Sequence, residues 1–243
     1  MVRVVSMKSG WPCVTCPNRA SGVCGALLGK SVEGAPQEQP DWQSYYGVRA
    51  GEQLITRHQP SEKVFMLCNG RAFRFFQLAN GRRQILNFLI PGDLISAVTV
   101  FEERPHFSAQ ALTEVRLSAF LRSEIRVQFA ENSDFSTALA QSCISGINDA
   151  DALMTSLGQR SADERIAYLF LHLMRRIAAR NVVRDQRYRI PLKQQHIADA
   201  VGLTPEHVSR VLSQFRERNL IEFSGGVLHV RDAAELERIG ALT

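Results

Sequence analysis

No stretch of the 243-residue chain approaches the roughly eighteen consecutive apolar residues that a membrane-spanning helix needs. The first ten residues, Met1 to Gly10, lack a sustained apolar run and a small-residue cleavage site. Both absences predict a cytoplasmic protein with no membrane partner. Histidine is scarce. His58, His106, His172, His196, His207 and His229 form no H-x-H or H-E-x-x-H pattern, so a β-barrel metalloenzyme would lack a ligand set. No nucleophile–base constellation and no phosphate-cradling glycine loop is present, and the chain is read as a non-enzyme. Cysteine is limited to five, an odd number. In a reducing compartment that argues against a disulfide framework and for metal or redox chemistry.

What the chain does have is an ordinary globular composition, 45% hydrophobic and 22% charged, which excludes a disordered chain, a collagen-like fibre or a coiled-coil rod. Its length favours two domains. The net charge is +5, and it is unevenly placed: between Arg160 and Leu220 twelve Lys or Arg face six Asp or Glu. The basic character therefore sits in one C-terminal region, as expected of a nucleic-acid-binding domain. A solvated basic face explains the charge equally well.

Along the chain, residues 30–44 are polar and read as a connector. From Tyr46 to Phe120 short apolar runs alternate with turns: Val64–Cys68, Asn69-Gly70, Arg71–Leu78, Asn80-Gly81, Arg83–Ile90, Pro91-Gly92-Asp93, Phe107–Leu112 and Val115–Leu121. Asn-Gly between apolar runs predicts a hairpin, because both turn residues accept positive φ. So many short strands predict an α+β protein whose N-terminal domain is a β-roll or jelly roll. Helices follow at Ser123–Ala130 and Ser133–Leu157. In the second, Cys143, Ile147, Ala150, Met154 and Leu157 recur at spacings 4, 3, 4, 3. That is the seam of a parallel helix pair, or one face of a helix packed on its own barrel. After a break at Gly158–Arg160, Ser161-x-x-Glu164 is a capping box. It opens a helix over 162–180 with apolar positions Ile166, Leu169, Phe170, Leu173 and Ile177.

Residues 193–212 fit a DNA-binding helix-turn-helix. Ala198 is small where two helices cross, Gly202 suits a turn with positive φ, and Leu203 and Val208 anchor the turn and second helix. Thr204 and Pro205 suit the N-cap and first helical position. An ordinary helical hairpin is the bland alternative. On the second helix Val208, Val211, Leu212 and Phe215 point inward, while Glu206, Ser209 and Arg210 share the opposite face. Glutamate accepts from cytosine N4 and arginine donates a bidentate pair to guanine, so one G·C pair could be read by both. Ser224-Gly225-Gly226 between Leu220–Phe223 and Val227–Val230 predicts the wing of a winged helix, closed by a helix over about 232–242.

This arrangement, together with Gly81-Arg82-Arg83-Gln84-Ile85, Pro91-Gly92-Asp93-Leu94, Phe107-Ser108-Ala109-Gln110-Ala111-Leu112 and Arg160-Ser161-Ala162-Asp163-Glu164-Arg165, resembles the CRP/FNR family of bacterial transcription regulators, in its FNR and FixK branches. The resemblance covers nearly the whole chain. It implies a leader over 1–45, a cyclic-nucleotide-binding-like sensor β-roll over 46–122, a dimerisation helix region over 123–158 and a winged helix-turn-helix over 159–243. It also implies a homodimer on double-stranded DNA, at a palindrome of TTGA-like half-sites, that touches RNA polymerase. Glu206, Ser209 and Arg210 match the family's reading triad, with Thr204 and His207 beside them.

The resemblance bears on the sensor too. Members that bind cyclic AMP carry a Gly-Glu pair and an Arg-Ser/Thr pair. Here Leu94-Ile95-Ser96-Ala97 has no glutamate and Phe107-Ser108 has no arginine, so no cyclic nucleotide is expected. Cys13-x2-Cys16-x7-Cys24 resembles the iron–sulfur leader of FNR-type oxygen sensors in its wider, FnrN-type spacing, and thiolates suit such clusters or zinc. Those proteins take a fourth cysteine from the β-roll, at a position that aligns with Ser118. The fourth ligand is thus open, with Cys68 the nearest β-roll candidate although its family position tends to be surface. A FixK-like regulator without a cofactor, a haem sensor, and a metal-binding barrel whose winged helix contacts protein remain alternatives. Cys143 is either a small buried hydrophobe or a crosslink across the dimer. Family members often carry an aspartate near Ala150, so the alanine, flanked by Asp149 and Asp151, predicts a less tightly gated dimer.

Overall fold

The computed structural model describes residues 3–4, 12–20, 22–29, 38–180 and 185–241. Most of the connector read at 30–44 therefore lies outside the described residues. The chain forms two compact units, residues 1–75 with 88–147, and residues 76–87 with 148–243.

The first unit contains β1 (Arg3–Val4), a 3₁₀ turn (Pro17–Ala20), α1 (Gly22–Leu28), β2 (Gln43–Val48), β3 (Gln53–Ile55), β4 (Lys63–Asn69), most of β5 (Ala72–Gln77), the end of β6 (Arg83–Leu89), β7 (Ser108–Ala111) and β8 (Val115–Leu121). α2 (Arg122–Glu131) and the start of α3 (Ser133–Gln159) follow. The strands form two four-stranded sheets, ordered β1-β2-β8-β4 and β3-β7-β5-β6. This is the expected β-roll, with one correction. Asn80-Gly81 joins two strands of one sheet, but Asn69-Gly70 joins β4 of the first sheet to β5 of the second. The turn is a corner, not a hairpin. Asn-Gly reports a need for positive φ, and a corner has that need too. Gly70 sits at φ 86°, where a Cβ would stand 2.3 Å from the Glu114 carbonyl oxygen.

The first sheet is buried on both faces. Val115, Leu117 and Ala119 of β8 face one way, and Ser118 and Phe120, by strand alternation, face the other; all five are buried. The second face is covered by the leader. Cys13, Val23, Cys24, Leu27 and Leu28 join Tyr45, Val64, Met66, Phe120, Ile125, Phe135 and Leu139 in one buried cluster. The expected connector is shorter than its sequence range, because Gln43 and Ser44 already pair with Phe120 and Ala119 in β2.

The second unit contains the end of α3, α4 (Ala162–Ala178), β9 (Arg187–Arg189), α5 (Gln194–Val201), α6 (Pro205–Glu217), β10 (Ile221–Ser224), β11 (Val227–Val230) and α7 (Ala233–Gly240). α3 continues through Gly158 before ending at Gln159. The Ser161–Glu164 capping box forms, with the Ser161 amide donating to Glu164 Oε2 at 2.8 Å. The adjoining arginines tie three helices: Arg160 donates to the Gly240 carbonyl at 2.9 Å and to that of Ala241, and Arg165 to those of Arg160 (2.8 Å) and Val201 (3.3 Å). β10, β11 and β9 form the wing sheet. Ile166, Phe170, Ile197, Val208, Phe215, Leu228 and Leu236 make the core. Arg83, in the segment that groups with this unit, pairs with Asp199 of α5 at 2.6 Å.

Candidate functional site

The reading helix is built by local rules. Gly202 takes the left-handed conformation at φ 68° and ends α5. Thr204 caps α6, its hydroxyl accepting from the His207 amide at 3.3 Å, and Pro205 opens the helix. Val208, Val211 and Phe215 are buried. Glu206 and Arg210 are exposed and Ser209 is half-buried on the opposite face. They line a shallow concavity of about 540 Å³ together with Gln194, Pro205 and Ser213. Sequence reasoning missed Gln194 and Ser213, although Ser213 lies one turn beyond Ser209 on the same face. The Glu206 carboxyl is held below the usual carboxylate range by its own backbone amide and by the Thr204 hydroxyl, as expected at a helix start. His207 is half-buried.

The leader thiols are seated against the first sheet. Tyr45 of β2, Ser118 of β8 and Met66 of β4 form one row across three strands. Over it, the Cys13 sulfur meets Tyr45 Oη at 3.0 Å and accepts from Gln43 Nε2 at 3.5 Å. Gln43 Nε2 also donates to Ser118 Oγ at 2.7 Å. The Cys24 thiol meets Met66 Sδ at 2.7 Å. Cys68, expected near the surface, is half-buried and packs against this same cluster. Arg19, unread in the sequence, is 2% exposed. It donates to the carbonyls of Gly29 and Leu28 at 2.7 Å and of Cys13 at 3.4 Å. Burial raises the Cys13 and Cys24 thiols and pushes Cys68 up to about 12. The thiols reinforce this: charging Cys13 or Cys16 makes Cys24 and Cys68 harder to ionise. Four thiolates here would call for a cation. The donor chemistry thus fits an iron–sulfur group or zinc, yet among the described residues no three His, Cys, Asp or Glu side chains converge on one point.

On α3, Ile147 and Met154 are 59% and 68% exposed. Ala150 is also exposed, and Cys143 and Leu157 are half-buried. Ile144, outside the expected seam, is exposed as well. Asp149 turns toward α4, 3.8 Å from His172 Nδ1. In the β-roll, Phe107 is 0% exposed. Arg74 of β5 lies beside it, with its guanidinium 4.6 Å from the Phe107 ring centre, and the Arg74 Nε has no hydrogen-bond partner among the described residues.

A β-roll, a long helix and a winged helix-turn-helix define a DNA-binding transcription regulator. Residues 164–239 match the Crp-like helix-turn-helix domain and residues 47–132 the cyclic nucleotide-binding domain. The chain is 31% identical to the nitrogen fixation regulation protein FixK of Azorhizobium caulinodans, over 74% of this chain and 73% of that one. It is 28% identical to FixK of Bradyrhizobium diazoefficiens over 96% and 95%. It is also 28% identical to the transcriptional activator protein anr of Pseudomonas aeruginosa over 78% and 77%. The solved structure of FixK2 from Bradyrhizobium japonicum superposes with a TM-score of 0.74 at 25% identity, covering 83% of this chain and 98% of that one. The chain belongs to the CRP/FNR family of transcription regulators and binds DNA through its helix-turn-helix. Among the described residues no helix is long and apolar enough to cross a membrane.

Proposed function

We propose that this regulator is an oxygen- or redox-responsive homodimer that works in the cytoplasm, catalyses no reaction, and binds a palindrome of TTGA-type half-sites before contacting RNA polymerase. The observation that carries the sensing role is the burial of Cys13 and Cys24 against the first sheet, with half-buried Cys68 packed against the same cluster and Cys16 one turn from Cys13. These residues would hold an iron–sulfur group, which when bound would supply oxygen-labile iron–thiolate bonds. The chain's own residues do the rest: Arg19 ties the end of α1 to Cys13 within the leader, and the packed leader buries Ser118 and Phe120. The exposed apolar side chains of Ile147 and Met154 support pairing along α3, with Cys143, Ala150 and Leu157 in the same seam. Two-fold pairing would present two copies of α6 to an inverted repeat. Glu206 and Arg210 would read a G·C pair, with Ser209 on a neighbouring base or phosphate and Thr204 and His207 at the helix start near the backbone.

A cyclic nucleotide is not the effector in this reading. Arg74 supplies a cation, but Phe107-Ser108 has no arginine and no glutamate follows Gly92-Asp93 to hold a ribose. A second reading, a FixK-like regulator without a cofactor, is favoured by the lack of converging ligands among the described residues. Anaerobic purification separates the two. Brown protein with broad visible absorption and acid-labile sulfide supports the cluster; colourless, iron-free protein refutes it. Independently, Arg210→Ala should abolish binding to a TTGA palindrome in fluorescence anisotropy, and unchanged affinity would refute the assignment of the reading helix.

A further inference from the structure

We propose that Arg82, at the tip of the hairpin between β5 and β6, grips a backbone phosphate of the DNA beside the half-site that α6 reads. The inference goes beyond the reading triad and rests on α6 being the reading helix. The tip is built to hold one shape. Gly81 takes φ 82°, its amide donates to the Leu78 carbonyl at 2.9 Å, and the Leu78 amide donates to the Arg82 carbonyl at 2.8 Å. The Arg82 amide donates to Asn80 Oδ1 at 3.0 Å, and Gln77 Nε2 to the Gly81 carbonyl at 2.7 Å. The hairpin is then fastened to the first helix of the helix-turn-helix. Arg83 Nε donates to Asp199 Oδ2 at 2.8 Å, and Gln84 Nε2 to the Ala200 carbonyl at 3.1 Å. Residues 76–87 and both helices belong to the second unit, so the backbone of Arg82 has a set place beside α5 and α6.

Between the hairpin tip and the start of α6 lies a groove of about 870 Å³, whose lining includes Arg82, Gln195, Asp199, Thr204 and Pro205. Pro205 also lines the concavity that holds Glu206, Ser209 and Arg210. The two hollows therefore meet at the first turn of the reading helix, and a duplex seated on one borders the other. The chemistry of the partner is set by what the groove leaves unspent. Asp199 is neutralised by Arg83 at 2.6 Å and also accepts from Gln195 at 2.6 Å. The Thr204 hydroxyl is taken up in capping α6. Arg82 is exposed, and among the described residues no hydrogen bond or ion pair engages its guanidinium. What remains is one forked cation beside a helix start, and both features favour a phosphate. An acidic protein surface would suit the cation equally, but the continuity with the reading face selects DNA.

The test measures binding of the full chain by fluorescence anisotropy over a salt series, on a TTGA palindrome with flanking duplex and on an unrelated duplex. Arg82→Ala should weaken both by roughly tenfold per protomer near about 0.1 M salt, and should flatten the dependence of log K on log salt by about 0.9 per protomer. Discrimination between the two duplexes should not change, because a phosphate contact carries no sequence. Arg82→Lys keeps the charge and should retain most of the affinity. Arg238→Ala removes the same charge from an ion pair with Glu235 on α7 and should leave the salt dependence at the wild-type value. Ethylation interference then locates the contact: a phosphate bordering each half-site should matter to the wild type and not to Arg82→Ala. An Arg82→Ala chain with wild-type affinity and salt dependence overturns the inference. So does one that binds DNA normally but activates polymerase less in vitro, which would assign the arginine to a protein surface. The unrelated duplex is read without the palindrome, so a wrong half-site sequence leaves this result standing, and Arg210→Ala tests α6 separately.

Discussion

Replacing Arg19 by leucine should open the leader without unfolding the β-roll. The guanidinium is buried and spans three carbonyls: Gly29 and Leu28 at 2.7 Å and Cys13 at 3.4 Å. The first two lie at the end of α1, where carbonyls have no donor within the helix. The third joins that end back to Cys13. Hydrogen bonds to a charged group contribute about 1.5–3 kcal/mol each. Two short ones and a long one come to about 5 kcal/mol, and burying leucine in the vacated space offsets about 2 kcal/mol. The net loss of about 3 kcal/mol would raise the locally open population of the leader about a hundredfold. The readout is iodoacetamide labelling under reducing, metal-free conditions, followed peptide by peptide. Cys13 and Cys24 should label about a hundred times faster than in the wild type. The opening also removes the burial that raises both thiols, which adds to the rate. Cys143, on α3 outside the leader, is the internal reference. Arg19→Lys keeps the charge but loses the forked geometry, so it should fall between the two. If Cys13 and Cys24 label no faster in the leucine variant, relative to Cys143, then Arg19 does not hold the leader in place.

Three further outcomes follow from the same structure. Gly202→Ala puts a Cβ into a left-handed turn at φ 68°, 3.4 Å from Leu157 Cδ2; a cost of about 1–2 kcal/mol should lower the melting temperature by a few degrees, and an unchanged transition would show that the turn relaxes. Ile147→Glu places a charge on the exposed apolar face of α3 and should convert a dimer to monomer in sedimentation velocity at micromolar concentration; a wild-type chain that is already monomeric, or a dimeric variant, would remove the seam. His196 accepts from the Lys193 amide at 3.1 Å, and burial, with the Arg83 and Lys193 charges outweighing Asp199, holds its pKa below 6.5. The unfolded chain therefore binds this proton more readily, so the stabilisation is complete above the unfolded value and is lost as pH falls through the lower folded one. His196→Gln should flatten the fall in melting temperature on acidification through that window, and an unaltered slope would contradict the assignment.

The parts of the molecule legible in the sequence are those governed by local rules. The helix-turn-helix could be read residue by residue, because a small residue, a positive φ, a cap and a proline each have a local cause. The β-roll could be read from its turns, except where Asn69-Gly70 signalled positive φ without saying which strands it joins. The leader was legible as cysteine spacing and not as structure. Its seat depends on Phe120, Tyr45 and Met66, residues far from it along the chain, and alternation in β8 cannot announce that both faces are covered. Arg19 was invisible for the same reason, since a buried arginine is justified by its carbonyl partners and no sequence pattern names those. Cys68 was placed near the surface by the resemblance, and only the packing of the leader shows that it borders the buried cluster.

The acid in the reading helix follows a different logic from its surroundings. A carboxylate in a basic domain weakens attraction to phosphate, so its presence demands a specific gain. Glu206 lies in the first turn of α6, where its own backbone amide and the Thr204 hydroxyl already favour the ionised form. It therefore needs no neighbouring cation to stay charged, which leaves Arg210, one turn further along, available to a base. An acceptor and a forked donor held ready on one face match the two halves of a G·C pair. Glu206→Gln tests this directly. Loss of the charge should strengthen binding to unrelated duplex, through lower phosphate repulsion, while weakening discrimination at that pair by about 1–3 kcal/mol. A variant that gains affinity for every sequence alike would mean that Glu206 reads no base.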